Sequence, residues 1–193
     1  MKYFLSITLI AITSVAFAQK NSIYQKPTKE ILDLVDVSRA PSVLMDDAKS
    51  QMVLLYRNAY KSIEELSKEE MRLGGLRIDP KTNIGSRVTY TNNVKLKKLD
   101  EKEAKIVQVT GLPENPKLTN FKWSPDQSKI ALTNTTSEGV ELWVLDIESA
   151  SVSKITEAKL NANIGNVIHW FEDGASLLVK MISKNRKPLI NTK

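Results

Sequence analysis

Short apolar runs separated by polar turns make up most of the chain after residue 50. The runs at residues 87–90 and 94–99 alternate apolar and polar positions, which is the spacing of strands with one buried face. Further strands are predicted at residues 52–56, 104–109, 118–123, 129–134, 140–147, 152–156, 164–170 and 176–182. Short strands at even spacing, with turn residues between them, predict an all-β sandwich, barrel or propeller.

Helical spacing occurs in two places before residue 80. Residues 29–35 carry apolar side chains at helical intervals and predict one short helix. Ser62 and Glu65 have the spacing of a capping box, in which each side chain accepts a hydrogen bond from the other residue's backbone. Apolar positions continue beyond them, so a second helix is predicted at residues 62–73, ended by Gly74 and Gly75.

One segment of the chain occurs twice, and this repeat distinguishes between the sandwich, the barrel and the propeller. Residues 121–132 align without a gap on residues 168–179 at a shift of 47, which places Trp123 on Trp170 and Asp126 on Asp173. A repeat of this length with four predicted strands and a Trp in the first strand is typical of a propeller blade.

An earlier and poorer copy of the repeat precedes these two. Residues 45–54 resemble the turn and second strand with one extra residue, and residues 94–110 are expected to supply the last two strands of that blade. The chain then holds about two and a half blades, fewer than the four that closure needs. We therefore predict an all-β fold, a partial (unclosed) β-propeller of TolB/WD40-like blades with a short helical insertion near residues 62–73 and an N-terminal signal helix.

The first 18 residues have the composition of a secretory signal peptide. One Lys follows Met1, an uncharged apolar run extends to Phe17, and Ala16 and Ala18 form a small-x-small cleavage site. The apolar run is shorter than the roughly 20 residues of a membrane-spanning helix. We expect residues 1–18 to be a signal peptide, 19–42 an N-terminal extension with a short helix, and 43–193 the incomplete propeller. The mature protein is expected to be periplasmic or extracellular.

Composition excludes several classes of partner. The chain has no cysteine, so it forms no disulfide. Its net charge is +6, but the lysines are spread along the chain and the aromatic residues, 6% of the total, do not alternate with them. Proteins that bind nucleic acid need basic patches with stacking aromatic residues. No nucleic-acid partner is expected, and no membrane span after signal cleavage.

No catalytic, cofactor-binding or metal-binding residue is predicted, and no cofactor. Residues 174–178 come nearest to a G-x-S-x-G nucleophile elbow but lack its final Gly. His169 is the single histidine of the sequence, too few with no cysteine for an ordinary zinc site. The acidic pairs Asp46-Asp47 and Asp100-Glu101 have the pattern of turns, and Gly74-Gly75 lacks the Lys-Ser/Thr of a phosphate loop.

The repeat resembles a known sequence family. Residues 123–126 with 130–132, then residues 142–146 and 154–156, resemble the repeat W-S-P-D-G…I-A-F…L-W-x-x-D…L-T. That repeat occurs in TolB-like propellers and in the propeller domains of serine peptidases of the prolyl oligopeptidase family. Upstream, PTKEILDLV, SIEEL and RLGGLRI, which begin at residues 27, 62 and 72, are similar to exported peptidases of the glutamyl endopeptidase branch.

The resemblance implies a propeller that precedes a catalytic α/β-hydrolase domain and limits its substrates to peptides. In that family the Ser-Asp-His triad lies in the hydrolase domain, and no part of this sequence matches it. The expected protein is therefore a propeller fragment of an exported serine peptidase, not catalytic alone. Its expected partners are peptides or the missing C-terminal α/β-hydrolase domain. The alternative is a TolB-like periplasmic propeller that acts as a protein–protein interaction module.

Overall fold

The computed structural model describes residues 26–99 and 103–187, and the chain divides into two compact units, residues 1–37 and 38–193. The predicted signal peptide, residues 1–18, and the acidic pair Asp100-Glu101 lie outside the described residues. In the first unit, helix α1 covers Lys29–Val35, as predicted, and none of its residues is buried. Neither helix in the described part of the chain has the length and hydrophobicity to span a bilayer.

The second unit is built from antiparallel sheets, and its described residues form no closed barrel. The part of this unit that the structure describes has helix α2 (Ile63–Leu66) and thirteen strands: β1 (Ser42–Met45), β2 (Gln51–Tyr56), β3 (Met71–Leu73), β4 (Leu76–Asp79), β5 (Ile84–Gly85), β6 (Asn93–Lys98), β7 (Val107–Gln108), β8 (Leu118–Trp123), β9 (Lys129–Thr135), β10 (Val140–Asp146), β11 (Ser151–Lys154), β12 (Ile168–Trp170) and β13 (Leu177–Val179). Sheet 1 has the strand order β1-β2-β6-β7 and sheet 2 the order β8-β9-β10-β11. Sheet 3 is the pair β12-β13, and the small sheet is β3-β4-β5. The predicted all-β class is confirmed.

Strand β9 of sheet 2 is buried on both faces, which explains its continuous apolar run at residues 130–132. In β9, Ile130 and Leu132 pack with residues of sheet 1, while Ala131 between them packs with residues of sheet 3. All three side chains are at most 1% exposed. Since alternate residues of a strand point to opposite faces, a strand covered on both sides has no polar positions to alternate with.

Three hairpins repeat the same geometry: the first is β1–β2, the second β8–β9 and the third β12–β13. In the second hairpin Trp123 lies opposite Ile130, and in the third Trp170 lies opposite Leu177. Trp123 packs against the core between sheets 1 and 2, and Trp170 against the core between sheets 2 and 3. The two Trp residues aligned in the sequence therefore occupy equivalent places.

The turns of these hairpins are also equivalent. The Ser124 N–H donates to the carbonyl of Lys129 at 2.9 Å, and the Phe171 N–H donates to the carbonyl of Ser176 at 3.0 Å. In the first hairpin the Asp46 N–H donates to Gln51 in the same way. The predicted extra residue in this earliest copy is therefore wrong: the first hairpin has the length of the other two.

Each of these turns contacts the turn of the next hairpin along the chain. The Asp47 N–H donates to Gln127 Oε1 at 2.7 Å, which joins the first turn to the second. Gly174 of the third turn lies against Asp126 of the second, and a Cβ there would sit 3.4 Å from the Asp126 carboxyl carbon. Lys49, Gln127 and Gly174 share one position in their turns, and each has a positive φ of 55° to 62°.

The segment between β2 and β6 departs from the sequence prediction. The capping box is confirmed: Ser62 Oγ accepts from the Glu65 N–H and Glu65 Oε2 accepts from the Ser62 N–H, both at 3.1 Å. The helix it begins ends at Leu66, however, and the predicted helix at residues 62–73 is wrong beyond that point. Gly74 and Gly75 form the turn between β3 and β4 rather than a helix end, with φ values of 52° and 87°.

Other strand predictions differ in length. The predicted strand at residues 87–90 is absent, and the chain there is irregular until Thr91 bridges to Leu118. The predicted strands at 104–109, 164–170 and 176–182 shorten to β7, β12 and β13. Among the described strands, β7, β12 and β13 each stand at the end of the strand order of their sheet and pair with one neighbouring strand.

Candidate functional site

Two adjoining cavities lie beside the insertion, which we define as residues 57–92 between β2 and β6. Their volumes are about 360 and 200 Å³. We name them the Glu70 cavity and the Arg57 cavity. Lys61, Glu65, Val88 and Tyr90 line both, so the two form one groove. Tyr90 also packs against the core between sheets 2 and 3, which fixes the groove to the rest of the unit.

Short-range features of the sequence shape the walls of the groove. The capping box of α2 fixes the chain direction after Lys61. Asp79 Oδ1 accepts from the backbone N–H groups of Lys81 and Thr82, at 3.0 and 3.2 Å, and holds the turn into β5. Ile84 in β5 is 2% exposed and anchors the small sheet in the core. The insertion is thus anchored in the core by Ile84, with Val88 and Tyr90 packed against the same core, and most of its other residues are exposed.

Glu70 is the centre of the larger cavity. Its Oε1 accepts from Arg72 Nε at 2.9 Å and Arg77 Nη1 at 3.1 Å. Its Oε2 accepts from Ser86 Oγ at 2.6 Å and Arg87 Nε at 3.0 Å. One carboxylate therefore joins β3, β4 and the segment after β5. The Ser86 hydrogen bond, followed by those of Arg72 and Arg87, lowers the pKa of Glu70 to about 2.

Basic side chains dominate the Arg57 cavity. It is lined by Arg39, Arg57, Asn58, Ala59, Tyr60, Lys61, Glu65, Val88, Thr89, Tyr90, Asn92, Pro116 and Lys117. The lining thus holds four basic residues and one acidic residue. The Glu65 carboxylate already accepts from the Ser62 N–H, and Lys61 Nζ donates to the carbonyl of Val88 at 2.9 Å.

One of these basic groups, Arg57, has a side-chain nitrogen that makes no hydrogen bond. Its Nε is buried and has no hydrogen-bond partner. Within the described residues the side chains of Arg39, Arg57 and Lys117 form no ion pair with an acid. Buried donors are nearly always bonded in native proteins, so this Nε is an exception within the described residues.

The residues considered in the sequence lie elsewhere. Residues 174–178 form the third turn and the start of β13, and His169 is exposed in β12. Asp46 caps the first turn, where Oδ2 accepts from Ser50 Oγ at 2.6 Å. In the described part of the chain, no three acidic or histidine side chains come together as metal ligands would.

Sequence reasoning did not find the groove, because its residues come from separate stretches between Arg39 and Lys117. A local signal was the close spacing of Arg72, Arg77 and Arg87, of which only Arg72 lies within the predicted helix. Chemically, the groove offers cations, hydrogen-bond donors and a phenol hydroxyl, which suit recognition of an anion.

The chain is similar in sequence to proteins that are named as peptidases. No protein-family model matches the chain. A probable glutamyl endopeptidase, chloroplastic, of Oryza sativa subsp. japonica is 30% identical over 174 residues, which is 84% of this chain and 18% of the relative. The protein of the same name from Arabidopsis thaliana is 28% identical over 182 residues, 86% of this chain and 19% of the relative. The acylaminoacyl peptidase of Pyrococcus horikoshii has a TM-score of 0.43 and 16% identity, over 83% of this chain and 20% of that one.

The described residues place the chain in the all-β class, with repeated antiparallel hairpins. The plant relatives then confirm the resemblance that the motifs indicated: the chain is homologous to the glutamyl endopeptidases over most of its length. The chain spans about a fifth of the length of the curated relatives it matches.

Proposed function

We propose that this chain is the first part of a β-propeller in an exported serine peptidase of the glutamyl endopeptidase kind. In this proposal the propeller controls which peptides reach a catalytic α/β-hydrolase domain, and the chain described here cleaves nothing by itself. The observation that carries the proposal is the homology to glutamyl endopeptidases over more than four-fifths of the chain.

The repeated hairpins support the propeller part of the proposal. Sheets 1 and 2 each have four antiparallel strands, and sheet 3 begins with a hairpin of the same register. Trp123 and Trp170 each fill the space between one sheet and the sheet before it. Successive four-stranded sheets packed face to face through large apolar side chains are the construction of a propeller.

The domain limits and the export step belong to the same proposal. Residues 1–18 would be removed as a signal peptide, residues 19–42 would form an extension containing α1, and residues 43–193 would begin the propeller. Expression of the whole chain in an exporting bacterium, followed by N-terminal sequencing of the mature product, tests this. A mature protein starting at Gln19 supports export, whereas an intact Met1 in the cell interior contradicts it.

The peptidase assignment is tested most directly by the DNA that follows the codon for Lys193. A G-x-S-x-G motif with a later Asp and His is the expected result, because that order is the triad order of α/β-hydrolases. Further repeats followed by a stop codon would contradict the assignment and support the protein–protein interaction module.

The gating role requires an activity measurement on the full-length protein. We expect kcat/KM to be high for short peptides and to fall sharply when the same cleavage site is placed in a long unfolded protein. The isolated chain is the matched control and should cleave neither substrate. Equal kcat/KM for the short and the long substrate would show that the propeller does not restrict access.

A further inference from the structure

The insertion is hydrogen-bonded through its backbone to sheet 2 as well as to sheet 1, to which it belongs. It leaves sheet 1 after Tyr56 and returns beside it, where the Asn92 N–H donates to the carbonyl of Tyr56 at 2.8 Å. One residue earlier it pairs with the start of β8 in sheet 2, since Thr91 and Leu118 exchange two backbone hydrogen bonds of 2.9 Å. The insertion is therefore fastened to its own sheet and to the next one along the chain.

A third attachment joins the insertion to residues 155–167 between β11 and β12, which we name the linker. Ile84 of β5 forms a parallel bridge with Ala162 of the linker, and the Ala162 N–H donates to the carbonyl of Asn83 at 2.9 Å. Arg186, which follows β13, donates from Nη1 to Asn83 Oδ1. The insertion of sheet 1 therefore contacts both the chain that enters sheet 3 and the chain that leaves it.

The linker is itself paired with strands on two sides. Leu160 bridges to Val140 of β10 on one side and to Met181, just after β13, on the other. The Asn161 N–H donates to the carbonyl of Lys180 at 2.9 Å. Backbone pairing thus runs from β5 through the linker to the residues that follow β13.

Local structure holds Asn83 and Ile84 in the positions that this contact needs. The Asn83 N–H donates to the carbonyl of Asp79 at 3.0 Å, and Asn83 has a positive φ of 60°. Asn is one of the few residues besides Gly that adopt this conformation readily. Asn83 is 6% exposed and Ile84 2%, and Ile84 packs in the core that also contains Leu160 and Ile168. The contact between the insertion and the linker is therefore buried.

We propose that the insertion is a brace, which ties sheet 3 to sheet 1 across sheet 2 so that the three sheets move as one body. In a row of repeats each unit packs only on its neighbours, and terminal units open most easily. A link that skips one sheet removes this freedom. Under the proposed function, on which this part rests, a peptide does not enter between these sheets, and the brace contributes to the size limit on substrates.

Amide hydrogen exchange of the full chain tests the brace. Asn83→Gly keeps the positive φ of the turn and removes the side chain that Arg186 contacts. Protection factors in β12 and β13 should fall about tenfold, because a hydrogen bond to a charged group no longer opposes the opening of sheet 3, while those in β9 should be unchanged. Ile84→Ala should cause a larger fall, about 30-fold or more, through lost buried contacts. If Ile84→Ala does not fold, Asn83→Gly decides alone, and unchanged protection in sheet 3 would overturn the proposal.

Control variants separate the brace from an effect on the turn itself. Lys49→Gly is the matched control, since Lys49 has a φ of 55° and its N–H bonds within its own turn, to the carbonyl of Asp46 at 3.1 Å. Protection in sheet 3 should not fall in this variant. Arg186→Met should cause the same loss as Asn83→Gly, and the double variant should lose nothing further. Additive losses would overturn the link between Asn83 and Arg186.

Activity of the full-length protein tests the consequence for substrate entry. The ratio of kcat/KM for the long unfolded substrate to kcat/KM for the short peptide should rise in Asn83→Gly, because a loosened sheet 3 admits larger substrates. The ratio should not rise in Lys49→Gly. An unchanged ratio in Asn83→Gly would overturn the contribution of the brace to the size limit.

The brace and the proposed function can fail separately. If the DNA beyond Lys193 encodes no hydrolase while Asn83→Gly still lowers protection in sheet 3, the peptidase assignment fails and the brace stands. If sheet 3 is equally protected with and without Asn83→Gly while the hydrolase is present, the brace fails and the peptidase assignment stands.

Discussion

Sheet 2 and the insertion are stabilised in different ways although they adjoin in one unit. Sheet 2 has apolar side chains on both faces, and most residues of β9 and β10 are buried. The insertion has mainly exposed residues, one anchoring strand and a carboxylate shared by three arginines. Burial of apolar area is the larger contribution to stability, whereas exposed ion pairs contribute little. The repeat therefore supplies the rigid part of the unit, and the insertion is free to carry polar recognition groups.

The largest expected effect comes from matched Leu substitutions in the two regions. Leu145 is 1% exposed in β10 and Leu73 is 54% exposed in β3. Leu145→Ala should lower the free energy of unfolding by about 2–5 kcal/mol, because it leaves a cavity in the core. Leu73→Ala should change it by about 0.5 kcal/mol or less. Urea unfolding followed by tryptophan fluorescence measures both, and equal losses would contradict the contrast.

The repeated turns provide the next largest effect. Gly174→Ala places a side chain at a positive φ and should destabilise the chain by about 1 kcal/mol. Lys49→Gly removes a side chain from the same positive-φ position in the first turn and should stabilise the chain. The gain should be smaller than the loss in Gly174→Ala, because Gly loses more backbone entropy on folding. Thermal melts of both variants measure the pair. A shift of the same sign in both would show that the turns are not equivalent.

The two aligned Trp residues differ in one hydrogen bond and allow a finer test. Trp170 Nε1 donates to the carbonyl of Lys122 at 3.0 Å, whereas Trp123 Nε1 is buried without a partner. Trp170→Phe should therefore cost about 1 kcal/mol more than Trp123→Phe in the free energy of unfolding. Chemical denaturation of the two variants decides the matter, and a larger cost for Trp123→Phe would reject the assigned role of the bond.

The smallest effect is a pH dependence confined to the insertion. The folded pKa of Glu70, about 2, lies below its ordinary value of 4.5. The unfolded chain therefore takes up the proton first, so the stabilisation is complete above about pH 4.5 and is lost as the pH falls toward 2. The protection factors of the β3 and β4 amides, which are exchange rates corrected for the intrinsic rate at each pH, should fall through this range. Glu70→Gln should exchange faster at neutral pH and lose that dependence, and unchanged exchange would refute the role of Glu70.

The sequence predicts a helix or strand correctly where neighbouring residues alone determine it. The strand bounds of β8 were predicted correctly, because apolar spacing and turn residues there agree with the packing. The bounds of α1 were also predicted correctly, although none of its residues is buried. The helix predicted through Leu73 failed because Met71 and Leu73 pair with Ile78 and Leu76 across a two-glycine turn. Apolar spacing alone does not distinguish a short strand from a helical turn.

The groove was beyond the reach of the sequence for a different reason. Arg39, Arg57 and Lys117 are separated by long stretches of chain and meet only through the packing of sheets 1 and 2. Each taken singly is an ordinary surface residue. Only the three-dimensional arrangement shows that their charges face one small cavity and that Arg57 Nε lacks a partner.

The contacts between successive turns have a consequence for how such repeats can be exchanged. Gln127 accepts from the backbone of the turn before it, and Gly174 leaves room for the carboxylate of Asp126. A hairpin transplanted from another protein would meet a neighbour unsuited to it unless the adjoining turn came with it. Exchange of repeats in this fold therefore requires two adjacent turns to be transferred together, which is more than one sequence repeat.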